Sequence, residues 1–149
     1  MGAKFAVDMQ RTASLSLSVG NITNPGASQR RHRWFFVQLG AEGTVADNPA
    51  LWALQRCTTA GTRTAVTPIP LDPADAAAVT TAGEAHTVEP TYTANEILLN
   101  VPLNQRATYQ WMAAPGGELV VPATASAGIG IKTPTSGLVA VTAQVHFEE

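Results

Sequence analysis

The stretch from Val139 to Glu148 constrains the fold more than any other. Val139, Val141, Ala143, Val145 and Phe147 take every second position, and Ala140, Thr142, Gln144, His146 and Glu148 take the positions between. A two-residue repeat puts the first set on one face of an extended strand and the second on the other, because successive side chains leave a strand on opposite sides. The expectation is a strand paired deep in a sheet although it ends the chain.

Similar patterning recurs upstream. Ser14 to Val19 alternates hydroxyl and apolar side chains, which predicts a half-buried strand with Leu15, Leu17 and Val19 on its buried face. Gly20, Asn21, Asn24, Pro25, Gly26 and Ser28 then read as a loop. Trp34 to Leu39 is apolar on both faces and predicts a central strand covered on each side. Ala50 to Cys57 reads as a strand, as do Glu96–Val101, Arg106–Trp111 and Glu118–Val121, with Pro102, Pro115 and Pro122 marking their ends. One stretch reads differently: Asp72 as N-cap, Pro73 at the first helical position, Asp75 in the first turn, an alanine run and Gly83 as a stop predict a short helix near residues 73–82. Short strands divided by Gly and Pro, with that one helix, indicate an all-β chain, an antiparallel β-sandwich or jelly roll. No internal repeat or linker divides it, so residues 1–149 read as one β-sandwich domain, the first 33 including an N-terminal strand or arm.

Aliphatic and aromatic residues make up 45% of the chain and charged residues only 13%, about half the ordinary share. A surface covered by Thr, Ser, Asn, Gln and Ala repels copies of itself weakly and suits close contact with neighbours. The formal charge of −2 and a pI near 5.9 argue against nucleic acid as a partner. A lone Cys57 excludes an intramolecular disulfide and a thiolate metal cluster. Met1 to Asp8 lacks the continuous apolar run of a signal peptide, and no apolar stretch approaches the ~18–20 residues needed to cross a bilayer. The expectation is a soluble chain made in a cytoplasm, with no membrane partner.

Candidate chemistry is sparse. His32, His86 and His146 are too scattered for a metal motif. Glu84, His86 and Glu89 form the best local acid–base set, since imidazole and carboxylate tune each other, although a solvated strand start explains them more simply. Asp72 and Asp75 are accounted for by a helix start. No serine stands in a G-x-S-x-G elbow, Gly128 to Lys132 lacks the form of a phosphate loop, and Asn21-Ile22-Thr23 matches a glycosylation sequon only by composition. No catalytic, cofactor-binding or metal residue is assigned, and a non-enzymatic role is expected. Arg30-Arg31-His32-Arg33 is the one basic cluster, holding three of the nine Lys and Arg residues. Guanidinium forks there could grip carboxylates on an acidic partner, or the charges could simply guard a strand against edge-to-edge aggregation. Trp34, Trp52 and Trp111 could anchor an interface or stack on sugars, with core packing the simpler reading for each. The candidate contact residues are Arg30, Arg31, Arg33, Trp34 and Arg106.

Several stretches resemble a family of short virion proteins of tailed bacteriophages, the capsid cement or decoration proteins. They are Trp52-Ala53-Leu54-Gln55-Arg56 with Thr58-Thr59-Ala60-Gly61-Thr62, Leu71-Asp72-Pro73-Ala74-Asp75-Ala76, Glu84 to Tyr92, Val101 to Thr108, Ala113 to Leu119 and the closing Val145 to Glu149. The resemblance covers roughly residues 34–149. It implies a β-sandwich or jelly roll on the outer surface of the virion capsid, synthesised in the host cytoplasm. The implied partners are the major capsid protein, whose neighbouring copies it staples, and two further copies of itself in a homotrimer. The alternatives are a minor tail, neck or head-fibre protein, or a lectin-like module with carbohydrate as its partner.

Overall fold

The computed structural model describes residues 2–11, 17–133 and 140–149. Twelve strands account for the regular structure: β1 (Lys4–Arg11), β2 (Ser18–Thr23), β3 (His32–Ala41), β4 (Pro49–Cys57), β5 (Thr62–Val66), β6 (Ile69–Pro70), β7 (Thr81–Val88), β8 (Tyr92–Asn104), β9 (Tyr109–Met112), β10 (Leu119–Val121), β11 (Gly128–Lys132) and β12 (Val141–Glu148). All pairings are antiparallel. β1 pairs with β12, β2 with β11, β3 with both β9 and β10, and β4 with β8. The chain is thus a long hairpin whose two arms, β1 to β4 and β8 to β12, pair in reverse order. Rolled up, successive pairs fall alternately in two packed sheets, which is the jelly-roll arrangement of a β-sandwich. The first sheet runs β10-β3-β12-β1-β6, with β9 beside β10 along β3, and the second runs β5-β7-β2-β11-β4-β8. Strands β5 to β7, inserted between the arms, extend the second sheet beyond β2 and pad the first beyond β1.

The alternation of the last strand is realised in full. Val141, Ala143, Val145 and Phe147 are buried and the residues between them are half-buried, with β12 held between β1 and β3. Phe147 stacks on Phe5 at 5.4 Å between ring centroids. Phe5, Val7 and Met9 of β1 and Trp34, Val37 and Leu39 of β3 complete that face. Opposite them stand Val19, Ile22, Trp52, Leu54, Ile129 and Ile131 of the second sheet. Burying one such large side chain contributes about 1.5–3 kcal/mol, so this layer is the main source of stability. Gly20 lies inside it, where any side chain would strike the Met9 sulfur and the Gly83 carbonyl.

Other expectations change. The described residues contain no helix. Asp72 does cap a turn, its carboxylate accepting from Ala74 N at 2.9 Å and its carbonyl from Asp75 N at 3.0 Å. The turn then stops, because the Glu149 carboxylate captures Val79 N and Thr80 N at 2.7 and 3.0 Å and because Thr81 onward, Gly83 included, is paired in β7. An Asp-Pro start serves a single turn as well as a helix. Of the strand expected from Ser14, residues 14–16 lie outside the described residues, as does Val139. The remainder runs on through Gly20 and Asn21 to Thr23, so the predicted loop begins at Asn24. Pro102 lies within β8 rather than ending it, tolerated because β8 is an edge strand. The Trp34–Leu39 strand is central, but only one face meets the core. A register shift near Phe36 turns both Phe35 and Phe36 outward, where His146 packs against them at 6.0 and 4.9 Å.

Candidate functional site

The arginines divide into two groups. Arg11, Arg56 and Arg63 serve the fold. Arg11 donates to the carbonyls of Ser18 and His86 at 3.1 and 2.8 Å. Arg56 donates to Val120 O at 2.7 Å and lies 3.6 Å from the Glu96 carboxylate. Arg63 donates to Asn21 O at 3.0 Å, to Asn21 Oδ1, and to the Thr23 and Thr81 hydroxyls at 3.2 and 2.9 Å. The guanidinium groups of Arg30, Arg31, Arg33 and Arg106 are exposed, and among the described residues none has a hydrogen bond or an ion pair.

Three of these four stand together on a fixed base. Asn24 holds the approach to β3: its Oδ1 accepts Arg30 N at 3.0 Å, its Nδ2 donates to Pro122 O at 2.8 Å and its N donates to Ala127 O at 2.9 Å. Between Arg31 and Arg33 the chain turns His32 inward, fully buried, with its ring edge-on to Phe147 at 5.7 Å. Burial lowers the His32 pKa to about 4, against the opposing pull of the Glu149 charge and the Arg30 backbone, so the ring is neutral at pH 7. Among the described residues no carboxylate forms an ion pair with the guanidinium groups of Arg30, Arg31 and Arg33. Glu148 Oε1 accepts Gly2 N at 2.8 Å, and the Glu149 carboxylate takes Val79 N, Thr80 N and the Thr80 hydroxyl. Arg31, Arg33, Gly2 and both glutamates border one open groove of about 390 Å³.

The other candidates fall elsewhere. Arg106 follows β8 at the opposite end of the sandwich. Tyr109, three residues on, pairs with Leu39, about 20 Å along β3 from Arg33. Trp34 is fully buried in the core and contacts no solvent, which removes it from the expected contact set: at its position the strand faces inward. Trp52 is buried as well and Trp111 half-buried against the core, so no platform of exposed tryptophans exists.

The expected acid–base set is taken apart by the fold. Glu84 accepts Gln10 N at 2.6 Å, and Glu89 accepts Ser18 N at 2.5 Å and Ser18 Oγ at 2.9 Å. His86 is buried, with Nε2 placed 3.1 Å from both Asn21 Oδ1 and Ala60 O, which fixes the proton on Nε2. Burial lowers its pKa. The His86 and Glu89 contacts belong to a polar layer on the outer face of the second sheet, where Gly83 and Gly130 leave room for Arg63 and Tyr92 to lie flat, whereas Glu84 reaches across to β1 of the first sheet. Tyr92 Oη meets Ser18 Oγ at 2.5 Å, and the Lys132 ammonium sits 4.6 Å from its ring. The layer clasps the β5–β7 insertion and leaves His86 no access to a substrate. Among the described residues no three His, Cys, Asp or Glu side chains are gathered to hold a metal ion.

Sequence reasoning missed Arg56, Asn24 and the two terminal glutamates. Asn24 carried a signal in Asn-Pro-Gly, a turn sequence whose first residue commonly bonds nearby backbone. The others had none, since their partners lie forty or more residues away. Comparison with known protein families, curated proteins and solved structures finds no match. The likeness to phage virion proteins rests on the residue stretches that suggested it.

Proposed function

We propose that the protein is a non-catalytic decoration subunit that binds the outer surface of a tailed-phage head and staples neighbouring major capsid proteins. The carrying observation is the arginine pole. Arg30, Arg31 and Arg33 are exposed and unpaired on a rigid strand start, while the chain's other buried or half-buried arginines are spent on its own carbonyls. Unpaired guanidinium forks on a fixed base suit bidentate pairing with carboxylates of a protein surface. Many such modest contacts, repeated over a shell and joined within an oligomer, add through multivalency to firm attachment. The outer face of the first sheet supplies a surface for self-association. It carries Phe35, Phe36, His146, a Gln38–Gln110 pair and Met112, which is 74% exposed, with the Lys4 ammonium 5.7 Å from the Phe35 ring.

Purified virions stripped of this protein and mixed with it should take it up in a number comparable to the major capsid protein, counted by quantitative mass spectrometry. The triple variant Arg30→Glu, Arg31→Glu, Arg33→Glu should remain folded and lose uptake. A few copies per particle would move the protein to the tail or neck, and full uptake of the triple variant would overturn the arginine pole. Sedimentation equilibrium reads the oligomer, with a trimer expected and Met112→Arg weakening it.

A further inference from the structure

A second feature lies beside the arginine pole, at the seam where the edges of the two sheets part. A cleft of about 490 Å³ opens between β10 of the first sheet and β4 and β8 of the second, bordered by Arg31, Arg56, Thr58, Thr93, Glu96 and the apolar run Val120 to Pro122 with Ala127 and Gly128. Its volume falls within the range of sites that take a small ligand or a short segment. Arg56 crosses this seam: its backbone belongs to β4, its Nη1 is tied to Val120 O of β10, and its Nε faces Glu96 of β8. The guanidinium is therefore held in place before any ligand arrives, and its Nη2 has no bond among the described residues. Arg31 stands on the rim, exposed and unpaired. Two guanidinium groups against one carboxylate leave the cleft with a net positive charge over an apolar floor.

We propose that this cleft receives an extended segment of a partner protein, seating an acidic side chain between Arg31 and Arg56 and an adjacent apolar one on Val120 and Pro122. The proposal rests on the assembly reading above and names the chemistry of the docked partner. Charge complementarity selects the occupant: a carboxylate matches two forks, one of them already immobilised, so little ordering opposes its binding. A basic or purely apolar segment would leave Arg31 without a counter-charge. The chain's own last residues are not the occupant, because both glutamates are already held by backbone groups.

The test is an ¹⁵N–¹H titration of the protein with a blocked hexapeptide of alternating valine and aspartate, beside a valine–lysine hexapeptide and an oligogalacturonate. The acidic peptide should shift the amides of Thr58, Thr93 and Gly128 saturably, and the basic peptide should not. Arg31→Glu should raise its Kd at least ten-fold, and Thr58→Trp, which fills the cleft from an exposed position, should do the same without changing charge. Shifts spread over Arg30, Arg33 and Lys4 and untouched by Thr58→Trp would reduce the effect to the general field of the pole and overturn the proposal. So would cleft shifts produced by the sugar acid and not by the peptide. Virion uptake separates the two readings. Normal uptake of Thr58→Trp removes the cleft from docking and leaves the decoration role standing, whereas absent uptake of the unaltered protein removes that role whatever the peptide does.

Discussion

His32 makes the fold sensitive to mild acid by an amount that can be worked out. Its ring is fully buried against Phe147, and burial lowers its pKa from the ordinary 6.5 to about 4. Between these values the unfolded chain binds a proton that the folded chain refuses. Stability is therefore intact above about pH 6.5, falls as the pH drops through that value, and stops falling near pH 4, where both states are protonated. For these two pKa values the loss between pH 7.5 and pH 5.0 is about 2 kcal/mol, or roughly 4–8 °C in Tm for a chain of this size. His86 and His146 are also lowered by burial and act in the same direction, so the assay is a difference. Urea unfolding of the protein and of His32→Phe at both pH values should show the variant losing about 2 kcal/mol less than the parent on acidification. Phenylalanine fills a similar volume beside Phe147 and carries no proton. Equal losses in the two proteins would refute the reasoning.

Three further expectations concern the fold. Gly130→Val would drive its Cβ into Tyr92 Oη, expelling the ring from the outer face of β11 and releasing Ser18 and Glu89 with it. Overpacking of this kind costs about 1–3 kcal/mol, read as a lowered urea midpoint, and an unchanged midpoint would show that Tyr92 yields freely. Glu149→Ala removes the acceptor for Val79 N, Thr80 N and the Thr80 hydroxyl, a loss of about 1.5–3 kcal/mol for hydrogen bonds to a charged group. Hydrogen exchange at those two amides should accelerate, while the β2 and β11 amides slow to exchange remain so. The Cys57 thiol is buried and its pKa is pushed up to about 11, so it should resist a disulfide reagent at pH 8 until urea unfolds the chain; rapid native labelling would contradict its placement.

What the sequence made legible was whatever depends on near neighbours. The two-residue repeat of β12 required only local stereochemistry, and every buried position it implied from Val141 onward is buried. The helix near residues 73–82 failed because local preference met a distant partner: Glu149 takes the backbone groups that a helix would have used internally. Asn21 and His86 read as a loop residue and a solvated one, yet both are buried, because only the rolled-up topology brings Ala60 and Arg63 over them. For the candidate site the outcome divides the same way. Exposed arginines beside a strand start were readable as a cluster, whereas the inward turn of Trp34 depends on a register between β3 and β12 that no window of sequence contains.

The reversed pairing of the two arms has a practical meaning for anyone wishing to use this molecule as a scaffold. Because β1 lies against β12, the two ends of the described chain meet, with Gly2 bonded to Glu148 and Glu149 to Ala3. A tag or cargo fused to either end would emerge among Arg30, Arg31 and Arg33 and obstruct whatever those residues grasp. The turn joining β3 to β4 around Gly43 is exposed and lies at the far end of the sandwich, beyond Ala41. A peptide inserted there would point away from Arg30, Arg31 and Arg33, making that turn the display position and the two adjoining ends the place to leave untouched.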